Sequence, residues 1–159
     1  MSDSPALVAV AESGVEFRVV RFEPARDLAE AAGRRGTTVD RILKTMVVRT
    51  GENAYVIVLV PGDRVIDWGA LRDHLGLRRL ALADADQAYE ATGYRRGTIT
   101  PFGVVPALPV VVEAGVVGRG EISVGAGVPG TAIHLDVDDL IDAVGAVPVS
   151  ITKPAEGPR

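Results

Sequence analysis

The chain has 159 residues and a formal net charge of −4 from 17 basic and 21 acidic side chains; 47% of it is hydrophobic and 4% aromatic. That length suits one domain with its own core, the apolar share excludes a disordered polar chain, and scarce aromatics leave Val, Leu, Ile and Ala to build the interior. Cysteine is absent, which excludes disulfides, thiolate metal sites and cysteine nucleophiles together, and the acidic balance argues against coating DNA.

The first residues, Met1-Ser2-Asp3, carry no basic segment ahead of an apolar run, so no signal peptide is expected and the cytoplasm is the default compartment. Ser4-Pro5 opens a short helix closed near Gly14, with Ser as N-cap and Pro in the first turn. Residues 16–22 are rich in β-formers and read as a first strand. Asp27 caps a second helix that Gly36 stops, and Thr37 and Thr38 open a helical turn that delivers the chain to Lys44. Strands over 45–50 and 54–61 flank Gly51-Glu52-Asn53 as a hairpin. Asp67 caps a helix closed by Gly76, a brief strand follows at 80–83, and Asp84 caps a helix that ends at Gly93. Residues 93–103 fit neither period and form a structured loop.

Beyond that loop, strands are expected at 109–113, 121–124, 131–137 and 147–151. Asp136, Asp138 and Asp139 crowd the start of a helix reaching Val144, where negative charge suits the helix dipole. Residues 153–159 read as a mobile polar tail. Apolar runs such as 55–60 fall far short of the roughly 20 residues of a membrane span, so no membrane partner is expected. A hairpin beside helix-linked strands predicts a single α/β domain over 1–159, core about 5–152. Its mixed, curved, barrel-like sheet is flanked by helices.

Fifteen of the 17 basic residues are Arg, so Lys44, set between Leu43 and Thr45-Met46 at a strand start, stands out. A partly buried ammonium there can present point-charge donors to a carbonyl or phosphate oxygen. The other reading is a snorkelling strand-end lysine with its stem along apolar surface. Gly93, Gly97 and Gly103 with Pro101 pin a loop whose backbone can approach a ligand closely, or merely turn the chain. Gly125-Ala126-Gly127-Val128-Pro129-Gly130 joins two strands, so it is no dinucleotide fingerprint, although its amides could line a pocket. His74 reads as a solvated helix-end residue. His134 alternates with Ile133 and Leu135, so it faces away from the apolar side and is open to a general-base role. Arg34-Arg35, Arg78-Arg79 and Arg95-Arg96 are solvated pairs unless two converge on a pocket, where they would hold phosphate. There is no GxSxG elbow, no phosphate loop and no metal-ligand spacing, so neither a metal nor any other cofactor is expected.

In order, Leu43-Lys44-Thr45-Met46-Val47-Val48, Gly97-Thr98-Ile99-Thr100-Pro101-Phe102-Gly103, Leu108-Pro109-Val110, Gly125-Ala126-Gly127 with Gly130, Asp139-Leu140 and Ser150-Ile151-Thr152 make up a pattern. It resembles the YbaK/EbsC family, aminoacyl-tRNA deacylase domains also inserted in bacterial prolyl-tRNA synthetases, over residues 5 to 152. The resemblance implies hydrolysis of the ester joining a wrong amino acid to the 3′ end of tRNA, commonly proline tRNA, by a free-standing trans-editing enzyme. An aminoacyl-tRNA synthetase is then a further partner. It also implies a pocket between the Lys44 strand and the two glycine loops. Lys44 would orient the ribose-phosphate or ester carbonyl, while Gly97, Thr100, Pro101, Phe102, Gly103, Gly125, Ala126, Gly127 and Gly130 hold the aminoacyl group. Positioning and electrostatics suffice for so labile an ester, with water or a substrate group attacking. Gly125 stands where the family often has Ser. Ala132, Phe22 and Pro24 replace an acid, a Tyr and a His of the cysteinyl branch, which argues against that specificity. Two other readings stay open: a non-catalytic module of the same fold that binds a tRNA end, a nucleotide or a synthetase, and glycine loops that only shape turns.

Overall fold

The protein, seen here as a computed structural model, is described over residues 4–156; Met1-Ser2-Asp3 and the last three residues of the expected tail lie outside that range. Its helices are α1 (Pro5–Glu12), α2 (Leu28–Arg35), α3 (Trp68–Leu75), α4 (Ala85–Thr92) and α5 (Val137–Val144). Each has eight residues, too few to be stable alone, so caps and packing must hold them. Ser4, Asp27, Asp67, Asp84 and Asp136 each accept a backbone N–H of the first turn. Gly36, Gly76, Gly93 and Gly145 close four of the helices in the left-handed conformation.

The strands are β1 (Phe17–Arg21), β2 (Leu43–Gly51), β3 (Ala54–Pro61), β4 (Arg64–Ile66), β5 (Ala81–Leu82), β6 (Val110–Glu113), β7 (Glu121–Gly125), β8 (Thr131–Asp136), β9 (Val147–Val149) and β10 (Thr152–Pro154). They form a five-stranded sheet in the order β5-β2-β3-β6-β9, a three-stranded sheet β1-β8-β7, and the pair β10-β4. β3, β6 and β9 run parallel and the other pairs antiparallel, so the α/β class and the mixed sheet are as expected. Barrel-like closure is not. Between β2 and β7 there is one parallel bridge, Ile42 to Ser123, and α2 packs across the gap through Ala31 and Ala32 against Ile42.

The five-stranded sheet is buried on both faces, which explains the unbroken apolar run of β3. Ile57 and Leu59 join Leu43, Ile122, Val124, Ile133 and Leu135 in the larger core, closed by Val10 of α1 and Leu140 of α5. Val56, Val58 and Val60 face the other way, onto Ile66, Leu71, Val111 and Ile151. That second core needs a cover, and β10 supplies it. Lys153 and Pro154, expected in a mobile tail, pair instead with Val65 and Arg64 of β4. Neither β4 nor β10 has a local signal, because their pairing partners lie nearly ninety residues apart in the chain.

His134 also departs from expectation. It does point away from the large core, but that face is covered: the residue is 1% exposed and neither ring nitrogen has a hydrogen-bond partner among the described residues. The ion pair Arg18–Glu121 lies over it, with Glu121 Oε1 3.6 Å from Nδ1. Burial above all, then the charge of Arg18, holds the imidazole below its usual 6.5 although Glu121 opposes them. The unfolded chain therefore takes up a proton that the folded protein refuses, so stability is full above pH 6.5 and falls as the pH drops below it. Unfolding free energies from urea titrations are expected to decline from pH 6.5 downward, by at most about 1.4 kcal/mol per pH unit from this group. His134→Gln should remove that slope while leaving the carboxylate-driven loss at lower pH; an unaltered slope in the variant refutes the assignment.

Candidate functional site

β2 pairs with β3 along its whole length, but β5 covers its other edge only at Val48 and Arg49, where Ala83 N–H also reaches the Val47 carbonyl. Backbone groups alternate along a strand, so Thr45, like Val47, turns its N–H and C=O toward the uncovered edge. Beside that edge lies a cleft of ≈490 Å³. Its walls are α2 through Leu28 and Arg35, β2 through residues 42–47, the start of α4 through Asp84, Ala85 and Ala88, and the loop residues Arg96, Gly97 and Ile99. The volume and the mainly apolar wall with a few polar groups are those of a small-molecule site.

Lys44 lines the cleft and is half-buried. Its Nζ donates to the Arg64 carbonyl at 2.8 Å, which leaves two N–H groups of the ammonium uncommitted. Burial lowers its pKa from 10.5, and the Asp63 carboxylate opposes that shift. Thr45, next along, carries a hydroxyl that is buried without a hydrogen-bond partner among the described residues. Gly97 (φ 89°) and Ile99 line the cleft, and their backbone N–H groups have no acceptor among the described residues.

The remaining predicted residues are not on this wall. Thr100 is wholly buried, and Pro101, Phe102 and Gly103 line a separate cavity of ≈210 Å³ against Ala9, Ile57 and Val144. Gly125, Ala126, Gly127 and Gly130 stand behind the cleft as supports. A side chain at Gly125 would meet the Ile99 carbonyl at 2.7 Å, and Gly127 N–H donates to the Thr98 carbonyl at 2.9 Å. Ser4 Oγ donates to the Ala126 carbonyl and so ties α1 to the same loop. Gly130 packs on Phe22, which exchanges a backbone bond with it. Tyr94 joins the two glycine loops: its hydroxyl donates to the Phe102 carbonyl at 2.6 Å, and its ring lies where a side chain at Gly127 would go. Burial pushes that phenol up to about 12, so it stays a donor.

Of the three arginine pairs, Arg35 and Arg96 reach the cleft, while Arg78 and Arg79 are elsewhere. Arg34 pairs with Glu30 and Arg95 stacks on Tyr89. His74 is exposed, as expected, and His134 lies off the cleft wall, beside Arg18 and Glu121. Thr45 was not singled out by sequence, and Arg35 only as half of an arginine pair that would hold phosphate on reaching a pocket, not told apart from Arg34. The signal available was a cation in the last helical turn just ahead of a glycine cap, which aims it back toward the fold.

Residues 23–143 match the aminoacyl-tRNA editing domain. The chain belongs to that family. The resemblance carried by the Lys44 strand and the Gly97–Gly103 motif is thereby borne out. The prolyl-tRNA editing protein ProX of Acetoanaerobium sticklandii is 24% identical over 134 residues, 81% of this chain and 82% of that protein. A proline–tRNA ligase of Thermosipho melanesiensis is 30% identical over 105 residues, 66% of this chain. This editing-domain protein spans only 18% and 16% of two such ligases. A crystal structure described as that of a candidate trans-editing enzyme for prolyl-tRNA synthetase superposes with TM-score 0.84 at 26% identity, covering 94% of this chain and 95% of that one. A hypothetical protein of known structure gives TM-score 0.86 at 25% identity over 94% and 100% of the two chains. Among the described residues no helix is long and apolar enough to cross a membrane, and no group of three His, Asp or Glu side chains could hold a metal ion.

Proposed function

We propose that this editing-domain protein is a free-standing hydrolase, one domain over its core, that clears a wrong amino acid from the 3′ end of mischarged tRNA in the cytoplasm, proline tRNA foremost. The observation that carries the reading is the cleft at the open edge of β2, with Lys44 and Gly97 on its wall, inside the matched residues 23–143.

The aminoacyl side chain lies on the apolar wall of Leu28, Ile42, Val47, Ala88 and Ile99. Water attacks the ester carbonyl carbon, the oxyanion forms opposite the Gly97 and Ile99 amides, and the bond to the ribose oxygen breaks. That oxygen takes a proton, releasing free amino acid and intact tRNA. Lys44 uses its uncommitted N–H groups to orient the ribose end and to stabilise the developing charge. Thr100, Pro101, Phe102, Gly103, Gly125, Ala126, Gly127 and Gly130 act here by holding the wall in place rather than by touching substrate. No protein nucleophile is required, because effective positioning alone accounts for a large acceleration of a labile ester. A synthetase that releases the mischarged tRNA is the natural second partner.

The deciding experiment is a deacylation panel over proline tRNA and other tRNAs charged with several small wrong amino acids, following release of labelled amino acid. At least one mischarged species should be hydrolysed well above the spontaneous rate while correctly charged prolyl-tRNA is spared. Tight binding of tRNA with no turnover anywhere in the panel would instead make the chain a binding module of the same fold.

A further inference from the structure

Arg35 is the last residue of α2; it is half-buried and lines the cleft. It stacks on the Phe22 ring, 4.8 Å to the centroid, and Nη1 donates to Ser123 Oγ at 3.2 Å. Of its five N–H groups that is the one hydrogen bond formed; Nε is buried with no partner, and no carboxylate lies within salt-bridge distance among the described residues. Its chain neighbour behaves as a surface arginine should: Arg34 is exposed, pairs with Glu30 at 3.0 Å and donates to the Pro24 carbonyl. A half-buried cation with most of its donors idle is costly to keep, and burial lowers its pKa. The carbonyl end of α2 and the face of Phe22 offset part of that cost, but neither uses the free donors. The Gly130 carbonyl accepts the Phe22 N–H at 2.9 Å, which fixes the backbone that carries the ring. A second polar atom on the same wall, Thr45 Oγ1, is likewise unsatisfied.

We infer that Arg35 is the anion-binding group of the cleft and takes the phosphate on the 5′ side of the terminal adenosine of tRNA. This rests on the editing reading for its occupant, and it assigns polarity to the site. The α-ammonium of an aminoacyl group would be repelled by a guanidinium, so Arg35 marks the nucleotide end and the apolar wall the amino-acid end. Phosphate suits the free fork geometry, which can offer it two parallel donors. Arg96, exposed at the rim, extends the positive path outward along the strand.

The test uses the full chain, with adenosine 5′-monophosphate and adenosine as probes at low salt, by calorimetry. The monophosphate should bind at least tenfold more tightly than adenosine, with inorganic phosphate competing for it. Arg35→Gln should bring the two probes to similar affinity, Arg35→Lys should keep only part of the preference, and Arg34→Gln should leave it intact. With mischarged tRNA, Arg35→Gln should raise KM and leave kcat close to wild type. Equal binding of the two probes by the wild-type chain overturns the inference whatever the variants do, and so does an undiminished preference in a folded Arg35→Gln protein. Phosphate preference without deacylation would leave the anion site standing and remove the editing reading. Deacylation without phosphate preference would remove only the role of Arg35.

Discussion

Lys44→Ala is expected to stay folded and to hydrolyse mischarged tRNA at least tenfold more slowly, a loss of roughly 1.4 kcal/mol or more of transition-state stabilisation. The substitution removes one hydrogen bond, to the Arg64 carbonyl, worth about 1 kcal/mol of stability, so the fold should survive it. The rate should not, because Lys44 lines the cleft at the β2 edge and is half-shielded from water, where a charge acts more strongly than in bulk solvent. Lys44→Arg should restore little. A planar fork on a longer stem cannot donate to the Arg64 carbonyl and present free N–H groups at the same place. Single-turnover rates beside melting curves separate the two effects, and a variant as fast as wild type would take Lys44 out of the chemistry.

Glu113→Ala should be severely destabilising, costing about 3 kcal/mol or more. Glu113 ends β6 at 6% exposure, and its carboxylate accepts four hydrogen bonds. Gly115 N–H reaches Oε2 at 2.7 Å, while Ile151 N–H, Thr152 N–H and the Thr152 hydroxyl all reach Oε1. The Thr152 hydroxyl in turn accepts from Arg64 Nε at 2.7 Å, and Arg64 Nη2 donates to the Thr152 carbonyl. Burial would push the Glu113 carboxyl up, but the hydrogen bonds together outweigh it and hold the group below 4.5. A carboxyl depressed in the folded state contributes stability above that value and loses it as the pH falls. Alanine would leave three backbone donors and the Thr152 hydroxyl without their acceptor. Denaturant midpoints at neutral pH check the magnitude; a change under about 1 kcal/mol would mean the network is dispensable. Because Arg64 also supplies the carbonyl that Lys44 Nζ uses, slower deacylation in the residual folded protein is a second expected readout.

The limits of helices α1 to α5 were legible because they are set within a few residues: Ser4-Pro5 at one start, an aspartate at the others, and glycines with positive φ at four ends. The hairpin of β2 and β3 was legible for the same reason, Gly51 and Asn53 (φ 53°) making a local turn between two apolar runs. Lys44 and Gly97 could be picked out because their neighbours in the chain are also their neighbours in the site. None of this extends to pairings across long chain separations. β4 and β10 are three residues each and carry no apolar alternation; they exist because Glu113, Thr152 and Arg64 satisfy one another from distant parts of the sequence.

The same distinction runs through the site. Sequence by itself determined the family, the α/β class and the strand that carries Lys44, since these rest on residue types at short spacing. Only the tertiary structure decided that the loop after Gly97 divides, with Ile99 on the cleft and residues 101–103 against another cavity, and that the second glycine loop serves as backing. It alone decided that His134 is sealed under an ion pair, and that one arginine of a solvent-facing pair turns inward and goes unpaired. Burial and partnership depend on what packs from elsewhere in the chain, and a period of two or of 3.6 residues carries no record of it.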